Sequence, residues 1–508
     1  MDIQSIKSIT AAEIGKEIIV SGQISKISKT KKTTFFVLQD GMLSKSKIQC
    51  VCDSVLAKDL EKESYLKLIC LVSKPPSKHH TDTGLELQII KILHVSMSDT
   101  DFSERMPDDA GPYVQLKERH LYLRKQQMCL YTKLTALVVE ALRKTMKCFD
   151  GTEVFPPSFG SIKCEGGSEI FEFDHFGTTC YLSQSAQLYL ETFVSRGTVY
   201  CLDKSYRAEK SLTRRHLSCY QHFEVEKPSF DSFEDFLTFL ETFLVKFFEI
   251  LLKKDDGTLE ELKRKEFIKK YLEKGFLRLS HKKAIEMLRE RGIKKKDGSE
   301  YEPLDDIPEA PEREIIKEID QIVLLTGFPR VTKAFYTATD LEDPFRAYAV
   351  DIEFPGVGEI FGCSLRESDY KTIREKLKFF TLRDISEEFV TLLEIYKEDK
   401  KIKSIKESIS SLSSDILESI LLETIEFLKV QEPIPDTIPI DFIVLTKKIK
   451  EIPYEAYDWY FDLRKYGSPL SGGFGIGIER LVAWISSGGE ATIKDVTSFP
   501  RFMGCTSP

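Results

Sequence analysis

Two short runs of this chain hold residue types that suit a nucleoside triphosphate. Tyr206-Arg207-Ala208-Glu209 leads directly into Lys210-Ser211-Leu212-Thr213-Arg214-Arg215-His216, an Arg-x-Glu expected on a strand with a basic loop behind it. Far downstream comes Gly473-Phe474-Gly475-Ile476-Gly477-Ile478-Glu479-Arg480. Its small residues allow a helix to pack closely on a sheet and deliver one arginine into the same site. Joining a carboxylic acid to ATP needs positive charge at the phosphates, because the α-phosphorus must accept an anionic nucleophile and release pyrophosphate. Arg207 and Arg480 meet that need, and a planar guanidinium can also lie on an adenine face. A divalent cation bridging the phosphates wants carboxylates at the mouth, and Asp351 and Glu359 bracket a Pro-Gly turn. Taken singly, each arginine reads better as a surface ion pair; their joint, ordered occurrence is what favours chemistry.

The elements that must position these residues are set by the apolar pattern. Up to about Val95 the chain alternates apolar and polar residues in short runs, such as Glu17 to Ile24 and Thr34 to Gly41, with Gly and Asp-Gly turn signals. That spacing predicts a small β-barrel over residues 1–95. One turn carries Lys26, Lys29, Lys31 and Lys32, which alone reads as a solvated charge run. Beside Phe35 it also suits single-stranded nucleic acid, which stacks bases on aromatic faces in cation-lined grooves. Phe35 and Phe36 must point to opposite faces, one core and one surface, and the alternation does not say which. Residues 96–112 are polar and acidic and read as a linker. A helix is expected from Gln127 to Lys147, then a strand ending at Pro156-Pro157. Residues 376–450, rich in Lys, Glu, Ile, Leu and Ser, read as a helical insertion without chemistry within a domain spanning 113–508. The fold class is therefore α+β.

Composition bounds the rest. A chain of 508 residues exceeds one comfortable core and implies two or more domains. The eleven cysteines are scattered without paired CxxC spacing, which suits reduced thiols rather than zinc. Net charge is −8, so any RNA contact must come from local basic patches. No apolar run is long enough to span a membrane, and the start lacks a signal-peptide pattern, so the protein is expected to stay in the cytoplasm.

The runs carrying Arg207 and Arg480 resemble motifs 2 and 3 of class II aminoacyl-tRNA synthetases, and the long helix with its proline-closed strand resembles motif 1. Further segments narrow the resemblance: Tyr181 to Glu191 (YLSQSAQLYLE), Arg214-Arg215-His216-Leu217, Ile307 to Arg313 (IPEAPER), Val357 to Glu367 (VGEIFGCSLRE) and Phe499-Pro500-Arg501-Phe502. Together they resemble a eukaryotic-type asparaginyl-tRNA synthetase from about residue 10 to the end, apart from the insertion. The resemblance implies an N-terminal OB-fold that binds the anticodon, a class II domain built on an antiparallel sheet flanked by helices, and a homodimer formed through the motif 1 region. It implies L-asparagine, ATP, magnesium and tRNA(Asn) as ligands. Arg207 would hold the α-phosphate, Glu209 would face ATP or its ion, and Tyr220 would stack on adenine. Arg480 would take the γ-phosphate side and the other adenine face, with Arg215 and His216 also on ATP. Asp351 and Glu359 would serve magnesium. Glu165 would bind the amino group of the amino acid from a mobile loop, beside Gln187, Glu224 and Arg366. Phe35, Lys29, Lys31, Lys32 and Arg214 would contact tRNA.

Asparagine against aspartate rests on the amino-acid pocket. A carboxylate wants only donors, whereas an amide needs a donor for its oxygen and an acceptor for its NH₂. The aspartyl family has a lysine three positions after the glutamine matched by Gln187; here that position is Leu190. Glu224 falls where the asparaginyl family places the amide acceptor, although a strand glutamate paired with a nearby arginine reads the same way. Two departures stand out: Ser471 replaces the usual histidine before motif 3, and Cys219 replaces the usual glutamate, both expected to border the pocket. Three rival readings remain. One is a non-discriminating aspartyl-tRNA synthetase, which Leu190 and Glu224 oppose. Another is an enzyme of asparagine synthesis, which would need no anticodon barrel. The third is a non-catalytic paralogue that binds RNA or partners.

Overall fold

The computed structural model describes residues 2–76, 84–164, 170–210, 213–382 and 454–507. Glu165 and most of the expected 376–450 insertion lie outside them. The N-terminal part is a closed barrel of β1 (Glu17–Lys29), β2 (Thr33–Gln39), β3 (Lys47–Asp53), β4 (Tyr65–Ser73) and β5 (Glu86–Ser96), in the order β1-β2-β3-β5-β4. Strict alternation builds it: every second residue of β2 is buried. Phe36 goes inward at 2% exposure among Ile24, Leu38 and Leu68, so Phe35 faces outward, between Ser28 of β1 and Val51 of β3. The 96–112 stretch is not featureless, because a helical turn at Phe102–Arg105 buries Phe102 and Met106 follows it into the interior. Polar contacts fasten the barrel to the larger C-terminal part. Glu261 accepts from the Ser44 backbone and hydroxyl at 3.0 Å each, and Asp108 pairs with Lys62 at 3.2 Å and Lys125 at 2.7 Å.

The C-terminal part is built on β6 (Thr152–Glu153), β10 (Val199–Tyr206), β11 (Cys219–Pro228), β12 (Phe276–Ser280), β13 (Ile322–Pro329), β14 (Arg346–Phe354), β15 (Gly358–Leu365) and β16 (Ser471–Gly477). They form one eight-stranded sheet in the order β12-β13-β14-β15-β16-β11-β10-β6. Neighbours are antiparallel except β12 with β13 and β6 with β10. A separate three-stranded sheet joins β7 (Phe159–Gly160), β8 (Glu172–His175) and β9 (Thr178–Leu182). The helix expected at 127–147 runs over Gln126–Lys147 and packs with helices Phe233–Lys254 and Ile478–Ser487 against one face of the large sheet. Phe243, Phe247 and Trp484 sit at the centre of that layer with no exposure. Burying aromatics of this size supplies much of what holds sheet and helices together. All eleven cysteines are free thiols, and no described helix is long and apolar enough to cross a membrane.

Candidate active site

Register brings the two arginine-bearing runs together. In the β10–β11 pair Tyr206 lies opposite Cys219 and Cys201 opposite Glu224; in the β11–β16 pair Glu224 lies opposite Gly475 and Glu226 opposite Gly473. β15 lies on the far side of β16, with Gly362 opposite Gly475. The glycines of β16 are required by close approach: a side chain at Gly475 would strike the His222 ring and one at Gly473 the Glu226 carboxylate. These strands line one cavity of about 360 Å³ together with the first turn of helix Ile478–Ser487, which contributes Glu479 and Arg480. It gathers Arg207, Arg215, His216, Tyr220, Asp351, Glu359 and Arg480 at one end, and Gln187, Glu224 and Arg366 at the other.

The first end is a cluster of guanidiniums around one carboxylate. Arg207 falls just beyond β10, not within a strand, because that strand ends at Tyr206 and the Arg207 N–H turns to the Ser218 carbonyl at 3.1 Å. Its guanidinium lies over the Tyr220 ring at 5.7 Å and 3.8 Å from Glu209, which also reaches His216 at 3.4 Å. Arg480 sits in the first turn of helix Ile478–Ser487, where β16 delivers it, and donates to the Glu359 carbonyl at 2.9 Å and carboxylate at 3.2 Å. Arg215 approaches Glu359 at 3.5 Å and Glu309 at 3.6 Å, and its buried Nη1 has no hydrogen-bond partner among the described residues. Burial alone would push the Glu359 carboxyl up, but Arg480, Arg215, Lys333 and Arg207 outweigh it and hold Glu359 below the usual range. Convergent guanidiniums, one of them with an unfulfilled buried donor, suit a polyanion. Asp351 departs from a bare ligand pair: Lys333 holds it at 2.6 Å, and burial pushes its carboxyl up to about 6.

The second end pairs acceptors and donors. Glu224, 4% exposed, accepts from the Ser185 hydroxyl and from the Ala186 N–H at 2.8 Å. The His222 ring nitrogen lies 3.4 Å from it, and the charges of Arg366 and Arg207 act on it as well. Burial raises the Glu224 carboxyl, and the two donors pull part of that back. The arginine's partner is the next in-facing glutamate. Glu226 receives the Arg366 fork, from Nε at 3.1 Å and from Nη2, and Arg366 also donates to Ser364. Tyr336 lies beneath that guanidinium at 5.4 Å.

Several expected residues sit elsewhere. Arg214 is exposed outside the cavity and donates to the Glu490 carbonyl. Leu190 is fully buried in an apolar cluster with Ala186, Val199 and Cys201, so it does not reach the cavity. Ser471 and Cys219 do not line the cavity either. Ser471, 3% exposed, touches the site through its carbonyl, which accepts from the Arg366 N–H at 2.8 Å. Cys219 lines a neighbouring cavity of about 260 Å³ with Lys204, Gln221 and Arg501. On the barrel, Lys31 and Lys32 are exposed beside outward Phe35, whereas Lys29 is engaged by Glu61 at 3.1 Å and the Lys58 carbonyl. The sequence reading missed Glu226, Ser185 and Lys333. Glu226 alone left a signal, since its spacing of two from Glu224 on a strand puts both on one face.

The model of the family "tRNA synthetases class II (D, K and N)" matches residues 111–401 and 417–503. The chain belongs to this family. Within it, the chain is similar to the cytoplasmic asparagine–tRNA ligase of Saccharomyces cerevisiae, at 32% identity over 98% of this chain and 77% of that one. Among solved structures, asparaginyl-tRNA synthetase from Pyrococcus horikoshii complexed with asparaginyl-adenylate superposes with a TM-score of 0.76 at 26% identity, covering 100% of both chains. The Entamoeba histolytica asparaginyl-tRNA synthetase in complex with asparaginyl-adenylate gives 0.75 at 26%, covering 100% of this chain and 99% of that one.

Proposed function

We propose that this chain activates L-asparagine with ATP to asparaginyl-adenylate and transfers the amino acid to tRNA(Asn), releasing AMP and pyrophosphate, in the cytoplasm. The observation that carries asparagine over aspartate is the floor of the cavity: Glu224 is a buried acceptor, and the donor fork of Arg366 already has its charge matched by Glu226. An amide finds a donor and an acceptor in that setting, whereas a carboxylate meets a second carboxylate. Arg207 holds the α-phosphate, and Arg480 and Arg215 take the β and γ end, with adenine between Tyr220 and Arg480. The substrate carboxylate attacks the α-phosphorus in line, the bond to pyrophosphate breaks, and the guanidiniums stabilise the developing charge. A ribose hydroxyl of the tRNA then attacks the mixed anhydride and AMP leaves. No protein nucleophile is needed.

Magnesium fits Glu359 and Asp351, since it binds through one or two carboxylates and completes its shell with phosphate oxygens and water. When bound there, it supplies charge neutralisation of the phosphates. Support for Glu359 is that arginines hold its carboxyl below the usual range; Asp351 lines the same cavity and would exchange its Lys333 ion pair for the metal. We place tRNA(Asn) on the barrel, with Phe35, Lys31 and Lys32 toward the anticodon. A homodimer uses the motif 1 helix and strand, where β6 is the sheet edge and Phe155 stands 86% exposed. Charging of a tRNA(Asn) transcript with labelled asparagine, and not of tRNA(Asp), tests the reading. A protein that binds tRNA(Asn) but forms no aminoacyl ester would instead be the non-catalytic paralogue.

A further inference from the structure

One carboxylate ties the amino-acid end of the cavity to a helix that does not touch it. Glu191 closes the short helix Gln187–Glu191 and is 2% exposed. It accepts from Gln187 Nε2 at 3.0 Å, from the Tyr460 hydroxyl at 2.9 and 2.8 Å to its two oxygens, and from Arg464 Nη2 at 2.6 Å. Arg366 Nε lies 3.8 Å away. Tyr460 and Arg464 belong to helix Tyr454–Lys465 and do not line the cavity, whereas Gln187 and Arg366 do. Arg464 grips the same place a second way, donating from Nε to the carbonyl of Glu367, next in chain to Arg366, at 2.9 Å.

This network limits what the cavity offers a substrate. One N–H of the Gln187 amide is given to Glu191, which fixes the orientation of a group that lines the cavity. Arg366 stands between Glu226 and Glu191, so its charge is matched within the protein before a substrate arrives. With the three carboxylates of Glu191, Glu224 and Glu226 ionised and the His222 imidazole neutral, they exceed the guanidiniums of Arg366 and Arg464 by one negative charge, held on buried side chains. A neutral amide adds nothing to that balance. A side-chain carboxylate adds a second buried negative charge, which costs heavily without a counter-ion.

We propose that Glu191 is a specificity-determining residue that acts through Arg366 and Gln187, with Tyr460 and Arg464 as positioning residues that hold it. The proposal rests on the amino-acid site described above. It is tested in the full chain with Glu191→Gln and Tyr460→Phe, measuring ATP–pyrophosphate exchange against asparagine, aspartate and ATP, with a thermal melt of each variant. Glu191→Gln keeps the shape and removes the charge. It is expected to raise KM for asparagine and to lower the asparagine-to-aspartate ratio of kcat/KM by about tenfold or more, with KM for ATP within about twofold. Tyr460→Phe keeps the ring and removes the donor, and is expected to raise KM for asparagine by about three- to tenfold, again sparing ATP. An unchanged asparagine-to-aspartate ratio in Glu191→Gln overturns the specificity role. Equal rises in KM for asparagine and ATP that track a lowered melting temperature overturn the positioning role. Should Glu191→Gln not fold, Tyr460→Phe decides the matter by the same KM split. Absence of asparagine-dependent exchange in the unsubstituted protein overturns the underlying function, and is recognised before any variant is made.

Discussion

Replacing Glu224 by glutamine isolates the acceptor on which the amide reading depends. The glutamate gives one oxygen to the Ser185 hydroxyl and the other to the Ala186 N–H at 2.8 Å. The backbone donor cannot turn, so the amide oxygen of the introduced glutamine must stay on Ala186 and its NH₂ must take the place facing Ser185. Ser185 tolerates this because a hydroxyl can rotate to accept. The fold is therefore expected to lose no more than about 1 kcal/mol. The substrate cannot adjust in the same way: where its NH₂ met a buried carboxylate oxygen it now meets another NH₂. A lost hydrogen bond to a charged group plus an unpaired buried donor amounts to about 1.5–3 kcal/mol, or roughly ten- to hundredfold in KM for asparagine. ATP–pyrophosphate exchange at saturating ATP measures this directly, and KM for ATP, bound at the other end, should stay within about twofold. An unchanged KM for asparagine, or equal shifts for asparagine and ATP, would refute the assignment of Glu224 as the amide acceptor.

Other expectations come from the same geometry. Arg480→Ala removes the main counter-charge of Glu359 and one phosphate ligand, so kcat for adenylate formation should fall by about 10²–10³ with the fold intact by circular dichroism. Phe36→Ala opens a void in the barrel core and should cost about 3–5 kcal/mol, whereas Phe35→Ala should leave stability alone and raise KM for tRNA without affecting exchange. Burial pushes the Glu479 carboxyl up to about 7, despite the Gln221 N–H donating to it. An acid raised on folding favours the folded state while protonated. Its contribution is therefore greatest below the unfolded value of about 4.3 and is lost as pH rises toward 7, at about 1.4 kcal/mol per unit. Urea denaturation at pH 5 and pH 8 should show a smaller loss of stability in Glu479→Gln than in the unsubstituted protein, the remainder coming from other raised carboxyls such as Asp351.

Much of the frame was legible because it rests on periodicity. Alternation in several short runs pointed to a small barrel, which is built from five strands, and three- and four-residue steps placed the Gln126–Lys147 helix to within one residue. Alternation could not choose between Phe35 and Phe36, because that needs the register of β2 against both neighbours. The phosphate arginines were readable since each sits in a contiguous run. The amino-acid end was less so. The partner of Arg366 is 140 residues away in sequence, and the Glu191 network spans up to 273. No local pattern encodes such pairings. The same limit misplaced Ser471 and Cys219, which are close to the site in sequence but turn away from the cavity once β16 and β11 are paired. Lys333 on Asp351 was invisible for the same reason, since β13 and its following turn meet β14 only in the folded sheet.

ATP–pyrophosphate exchange with asparagine and with aspartate in parallel, with magnesium present, decides whether the cavity activates the amide in preference to the acid. Exchange with asparagine, and little or none with aspartate, is expected. Exchange with aspartate at comparable kcat/KM would contradict it, and silence with both would make this a paralogue that keeps the fold without the chemistry.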